Sequence, residues 1–306
     1  MLNQAFFVTW LAASVGLAGP VLLAAQGEIF AERAGVLNIG LEGTILLGAL
    51  GSYLAAVATG STPLGFVAGG VTGLAVGAVL ALFYVGAQAS QVVVGIVFNI
   101  LAAGVASYVY DLAAGTSAPT IGLLRPVHLP VLSALPVLGP VLFRHPLPLY
   151  LTLLIVVLAQ VVLFRTRFGL ALIAVGEHPR AAHAAGISVA RMRVIGVLLS
   201  GLSGGLAGAY LVTAQIGLYR DNIVSGEGFI ALAIVIFGRW SPLRSLLAAL
   251  VFGGADALQL SLQLFNDRVP AQVLLCLPYI LTILAVSGLL GGRAQPAALM
   301  LPYRKE

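Results

Sequence analysis

Long apolar runs constrain this chain more than any other feature of its sequence. Several exceed the roughly 18 residues that mark a bilayer-spanning helix. Only 8% of the residues are charged, against about 25% in soluble domains, so most of the surface cannot face water. We therefore expect an all-α fold, a polytopic membrane helical bundle of roughly 8–10 transmembrane or half-membrane helices, in a single domain over residues 1–306. The runs lie near residues 5–25, 43–58, 63–86, 92–112, 147–164, 194–212, 227–238, 245–263 and 271–291.

Two segments do not fit a simple series of spans. The run at 227–238 is too short to cross a hydrocarbon core of about 30 Å as a lone helix. It indicates half of a broken helix, which is tolerated where the backbone is buried in protein or lines a cavity. The stretch 26–42 is ambiguous in the same way, and a re-entrant segment is one interpretation of it.

The distribution of basic residues indicates an orientation. If the 165–193 loop is cytoplasmic and the spans alternate, eleven basic residues lie inside and four outside, which is the positive-inside pattern. The C-terminus is then cytoplasmic, the N-terminus is outside, and 113–146 is an extracytoplasmic loop. That proline-rich loop is either a docking or lid segment or a long connection. The inside set is Arg33, Arg165, Arg167, Arg180, Arg191, Arg193, Arg239, Arg244, Arg293, Arg304 and Lys305; the outside set is Arg125, Arg144, Arg220 and Arg268.

Glycines recur at helical spacing in two of the runs. Small residues let helix backbones approach closely in lipid, so we interpret these glycines as packing surfaces. They do not form a phosphate loop, because a P-loop needs a lysine after its second glycine and the only lysine is Lys305. The chain is therefore not expected to hydrolyse ATP itself or to hold a cofactor. The two sets are Gly65, Gly69, Gly73 and Gly77, and Gly201, Gly204, Gly205 and Gly208.

The sequence contains no complete catalytic motif. "GLSGG" at 201–205 fits G-x-S-x-G with Ser203 as nucleophile, but such a serine needs a base within hydrogen-bond reach. All four histidines fall in the segments between the spans, so no base is available at membrane depth, and no group of residues has metal-ligand spacing. We expect a chain that moves a solute rather than one that reacts with it.

Polar side chains at membrane depth are costly and usually functional. Asp256 and Glu42 are the ionisable candidates, and Asp256, Gln259 and Gln263 share one helix face. Amides suit a neutral, hydrogen-bonding solute, although hydrogen bonding between helices is the alternative for each of them. The candidates for the translocation path are Asn38, Glu42, Asn99, Gln215, Asp256 and Gln259.

One short polar segment, "GEHPRAAHAAGI" at 176–187, interrupts the apolar chain. Pro179 fits the first position of a helix, Glu177 just ahead favours the positive end of the helix dipole, and Gly186 fits the stop position. We predict a helix over 179–185 whose small residues let a partner's groove close around it. The alternative is a solvated basic loop.

This segment, with "LLSGLSGGLAGAYL" at 198–211, resembles the coupling loop of ABC-importer permeases of the branched-chain amino acid, ribose and nucleoside group. "ERAGVLNIGLEGTILLGALGSY" (32–53) and "GEGFIALAIVIFGRWSPLRSLLAALVFGGADALQ" (226–259) are most similar to its simple-sugar and purine-nucleoside permeases. The resemblance covers most of residues 28–290.

The resemblance implies a permease subunit of an ATP-driven importer in the prokaryotic inner membrane. Its partners would be membrane lipid, an ABC ATPase subunit, a second and non-identical permease, and an extracytoplasmic substrate-binding protein, with no nucleic acid. Glu177, Pro179, Ala182 and Gly186 would sit in the ATPase groove. Glu42 would lie near the translocation path or stabilise a broken helix.

Nucleosides are the expected substrate, and a simple sugar such as ribose or galactose is the alternative. A proton-coupled secondary transporter using Asp256 and Glu42 and a structural membrane scaffold are the other interpretations of the sequence.

Overall fold

The computed structural model describes residues 4–114, 119–127, 133, 135–265, 276, 280, 283 and 295–303. These residues form an all-α bundle, as expected. Seven of its helices are long and apolar enough to cross a membrane. The predicted run at 271–291 lies outside the described residues except at three positions. The seven are α1 (Gln4–Arg33), α2 (Leu41–Thr59), α3 (Thr62–Ala81), α4 (Gln91–Ala114), α6 (Leu147–Arg165), α9 (Val189–Tyr210) and α11 (Pro242–Phe265).

Helix α1 is the central element and is longer than its apolar run. It packs against α6, α9 and α11, and it continues past residue 25 to Arg33 without a break. The ambiguous stretch 26–42 is thus the last part of α1, a turn, and the start of α2, so a re-entrant segment is wrong. The helix continues because its polar residues there, Gln26, Glu28 and Glu32, are enclosed by the bundle rather than exposed to lipid.

The predicted glycine surfaces bring α3 and α9 into backbone contact. A Cβ on Gly73 would lie 2.5 Å from the Cα of Gly205, and a Cβ on Gly201 would lie 2.6 Å from the Cα of Gly77. No side chain fits between these helices, which confirms the packing interpretation. Both helices end in a π-helical turn, Leu82–Gly86 after α3 and Leu211–Ile216 after α9.

Four short helices complete the described fold. They are α5 (Leu138–Leu142), α7 (Arg167–Glu177), α8 (Pro179–Ala184) and α10 (Glu227–Phe237). The α10 helix has 11 residues, so the prediction of a helix too short to span the membrane alone is confirmed. Helix α5 falls in the 113–146 segment, for which the sequence indicated no helix, because Pro and Gly mask any helical period there.

Different segments of the chain cover the two ends of the bundle. At one end α7 and α8 connect α6 to α9, and residues 295–303 pack beside them; we call this the α8 end. At the opposite end, residues 119–127 run over the π-helical turn that follows α9. There the N–H of Ile121 donates to Gly217 O at 2.8 Å, and the N–H of Leu124 donates to Thr213 O at 2.8 Å.

Candidate functional site

Helix α8 begins and ends where the sequence predicts, within one residue. Pro179 is its first residue, and Gly186 adopts φ +85° just beyond its end. The N–H of Ile187 donates to Ala182 O at 3.0 Å, and the N–H of Gly186 donates to His183 O at 2.9 Å. This pair of bonds is a Schellman motif, which satisfies the last carbonyls and needs the left-handed conformation that glycine adopts freely.

The two sides of α8 differ sharply in exposure. Ala181, Ala184 and Ala185 are exposed, whereas Ala182 is only 4% exposed. Ala182 packs with Val175 of α7 in a small apolar cluster. The expected contact of Ala182 with an ATPase groove is therefore corrected: its methyl group supports α8 from inside the protein, and the exposed alanines form the outer surface.

Glu177 is the last residue of α7 and precedes α8 by one residue. Its Oε2 accepts a hydrogen bond from the backbone N–H of Ala297 at 3.2 Å. The partner seen for Glu177 is thus a neighbouring segment of the chain rather than the N-terminus of α8.

A cavity of about 300 Å³ brings together three of the six predicted translocation residues. Gln215, Asp256 and Gln259 all line it, and Gln215 Nε2 also donates to Gly16 O at 2.9 Å. Because Asp256 and Gln259 line the same cavity, they share one face of α11, as their spacing predicts. Arg220 and Glu227 add charged groups to the wall, and neither was among the residues predicted for the translocation path.

Glu42 holds the start of the half-helix α10. Its Oε1 accepts the N–H of Gly226 at 2.8 Å, and its Oε2 accepts the N–H of Gly228 at 2.7 Å. These are two of the N–H groups that a helix start leaves without an intrahelical partner. Of the two roles open to Glu42, the geometry supports stabilisation of a broken helix, and Glu42 does not line the cavity.

Asn99 performs a similar task for α2. Its Oδ1 accepts the N–H of Gly43 at 2.9 Å, and its Nδ2 donates to Ile39 O at 2.9 Å. One amide side chain on α4 thus satisfies backbone groups on both sides of the α2 start. Like Glu42, it does not line the cavity.

Asn38 belongs to a buried polar network that the sequence did not reveal. Its Nδ2 donates to Ser200 Oγ at 3.0 Å, and Tyr84 donates to its Oδ1 at 3.3 Å. The network centres on Glu28, which accepts from the N–H of Asn38 at 2.8 Å and from Ser200 Oγ at 2.6 Å. Asn38 is fully buried, so it links α1, α9 and the turn before α2 rather than lining the cavity.

A second buried acid, Glu32, lies one helical turn beyond Glu28. Its Oε2 accepts a hydrogen bond from Trp240 Nε1, while its Oε1 has no hydrogen-bond partner. Sequence reasoning missed both acids because it ended the first span at residue 25. The available signal was their four-residue spacing, which places them on one face of a helix.

The fold and the geometry of the cavity together define a class of protein. Seven candidate spans, a small exposed helix at one end and a polar cavity between helices are typical of the membrane subunit of a transporter. Residues 10–286 match the family model described as the branched-chain amino acid transport system / permease component. The chain belongs to this family.

Individual relatives match over nearly the whole chain. The guanosine ABC transporter permease protein NupQ of Bacillus subtilis is 40% identical over 309 residues, covering 96% of this chain and 95% of the relative. The nucleoside ABC transporter permease protein NupC of Lactococcus lactis is 34% identical, with 94% and 93% covered. The putative glucose ABC transporter permease protein TsgC13 of Haloferax volcanii is 34% identical, with 99% of each chain covered. No solved structure matches the chain.

Proposed function

We propose that this chain is a permease subunit of an ATP-driven nucleoside importer in a prokaryotic inner membrane, with the α8 end cytoplasmic. The observation that carries the proposal is the 40% identity to a guanosine ABC transporter permease over 96% of the chain. The cytoplasmic α8 end follows from the positive-inside distribution of arginines.

The proposed protein partners supply functions that this chain does not carry itself. Its sequence has no phosphate loop, so a separate ABC ATPase supplies the energy and binds the exposed face of α8. A second, non-identical permease completes the translocation path, and an extracytoplasmic binding protein delivers the substrate at the opposite end. ATP-driven closure of the ATPase moves α8, and the bundle shifts between two states that contact the solute differently.

The cavity supports a solute rich in hydrogen-bonding groups. Gln215 and Gln259 offer amide donors and acceptors, and Asp256 and Glu227 offer carboxyl acceptors. Its volume of about 300 Å³ is at the lower limit for small-molecule sites. A nucleoside base and its ribose present complementary N–H, O–H and carbonyl groups. The apolar side chains of Leu17 and Ile230 are then free to contact the faces of the base and the ribose ring.

A simple sugar such as ribose or galactose is the second candidate. It is favoured by the similarity to the putative glucose permease of Haloferax volcanii. A competition assay separates the two candidate substrates. In vesicles that contain the complete transporter in their membrane, excess unlabelled guanosine suppresses uptake of labelled guanosine, while ribose, galactose or glucose does not. Uptake of labelled ribose, galactose or glucose, with no uptake of labelled guanosine, would favour the second candidate.

The docking role is tested on the exposed face of α8. Ala181 is the third residue of this helix, where glutamate is well tolerated, so Ala181→Glu adds bulk and charge without breaking the helix. We expect it to lose most bound ATPase and most uptake, while Ala181→Ser retains both. Full ATPase binding by Ala181→Glu would contradict the docking role. Ala182 is unsuited to this test because it is buried.

A further inference from the structure

Residues 295–303, which we call the C-terminal strap, cross the α8 end of the bundle. The N–H of Ala298 donates to Gly176 O at 2.8 Å, and the N–H of Met300 donates to Gly35 O at 3.2 Å. The strap is therefore attached by its backbone to α7 and to the turn that follows α1.

The second half of the strap is held by side chains from two further elements. Arg193 Nη1 of α9 donates to Leu301 O at 2.8 Å, and Gln88 Nε2 donates to Tyr303 O at 2.6 Å. The Tyr303 ring also lies 6.1 Å from the His183 ring of α8. A displacement of the strap would thus reach α8, α9 and the turn after α1 together.

Two grooves flank α8, and Tyr303 borders both of them. The larger, about 770 Å³, lies between the first half of α8 and the strap. The smaller, about 400 Å³, lies between the end of α8 and the start of α9. Glu177, His178 and Arg180 line one side of the larger groove, and Leu301 and Tyr303 of the strap line the other.

The strap presents apolar side chains next to these polar walls. Leu301 is 57% exposed and Met300 is 42% exposed, although the neighbouring Leu299 is buried at 9%. A groove with an acid, a histidine and an arginine on one wall does not suit lipid chains. Exposed apolar side chains beside such a wall are typical of a protein–protein contact with an apolar centre and a polar rim.

We propose that the C-terminal strap and α8 form one composite docking surface for the ABC ATPase subunit. This inference rests on the proposed function, because it extends the α8 contact along a continuous surface. The ATPase side should offer an apolar projection for the larger groove. Through Gly35 and Arg193 the strap then carries ATPase movement directly to α1 and α9, in parallel with α8.

The test uses the complete transporter, purified in detergent and reconstituted with its ATPase. Leu301→Gln keeps the strap backbone and removes the apolar contact, so we expect ATPase affinity to fall roughly tenfold. The matched control is Leu147→Gln, a leucine that is 52% exposed at the opposite end of the bundle, which should leave affinity unchanged. Wild-type affinity in Leu301→Gln would overturn the proposal.

Photo-crosslinking identifies what covers the strap. With p-benzoylphenylalanine in place of Leu301, we expect a covalent adduct with the purified ATPase, and none from the same substitution at Leu147. Adducts only with lipid, or only with a second permease, would overturn the proposal. If Ala181→Glu weakens ATPase binding but the Leu301 experiments fail, only the strap is excluded. If Ala181→Glu itself has no effect, the docking role that the proposed function gives to α8 fails first.

Discussion

Glu42 offers a quantitative test of how the half-helix α10 is held. Its two carboxyl oxygens accept the N–H groups of Gly226 and Gly228 at 2.8 and 2.7 Å. Glu42→Gln keeps the shape of the side chain, but the amide has one acceptor oxygen and turns its NH₂ group toward a second donor. A hydrogen bond to a charged group contributes about 1.5–3 kcal/mol, and an unsatisfied buried N–H adds a similar penalty. We therefore expect a loss of roughly 2–4 kcal/mol.

Thermal unfolding of the purified protein in detergent measures this loss, as a fall in apparent Tm of about 5 °C or more. Glu177→Gln is the control, because the hydrogen bond from Ala297 to Glu177 is longer, at 3.2 Å, and lies at the exposed surface, so the change should alter stability by less than about 0.5 kcal/mol. An unchanged Tm for Glu42→Gln would refute the capping role. Loss of uptake at unchanged stability would instead place Glu42 on the translocation path.

Three further changes test packing, the cavity and the buried network. Gly73→Ala places a methyl group against the Gly205 backbone and should lower the free energy of unfolding by about 1–3 kcal/mol. The control, Gly104→Ala, meets nothing within 4 Å and should be neutral or stabilising by up to ~1 kcal/mol. Equal effects of the two on thermal unfolding would contradict the close packing of α3 and α9. Asp256→Asn should raise the KM for nucleoside uptake roughly tenfold while basal ATP hydrolysis is unchanged, and an unaltered KM would remove Asp256 from the path. Glu28→Ala should cost about 2–4 kcal/mol in thermal unfolding, because it leaves two buried donors without an acceptor; wild-type stability would show that the network contributes nothing.

The spans and helix α8 were predictable because their signals are local. Hydropathy alone located the ends of the described membrane helices to within three residues, apart from the end of α1, the end of α3 and the start of α9. Pro179 and Gly186 marked the two ends of α8. Proline sets the φ that a helix start requires, and glycine tolerates the φ of +85° just beyond the helix end. No longer-range information was needed for either feature.

The site was only partly predictable, because a polar side chain in an apolar run can serve two purposes. Gln215, Asp256 and Gln259 line the cavity, whereas Glu42 and Asn99 satisfy the backbone of other helices. Both uses require the same amide and carboxyl chemistry, so composition and spacing do not separate them. The inward side of Ala182 was equally hidden, since a helix of 6 residues is too short to show an apolar period.

Glu28 and Glu32 were missed for a tertiary reason. Hydropathy falls after residue 25, yet α1 continues because α9 and the residues around Trp240 enclose both acids. Where the bundle supplies the surroundings, the length of an apolar run no longer marks the end of a helix.

The central claim is that this bundle transports only when a separate ATPase drives it. Uptake of labelled guanosine into sealed proteoliposomes tests it. Three samples are compared: this chain alone, this chain with the proposed second permease, ATPase and binding protein, and the same complete set without ATP. We predict accumulation only with all partners and ATP present. Accumulation by this chain alone, abolished by a protonophore and indifferent to ATP, would contradict the account and favour a proton-coupled carrier.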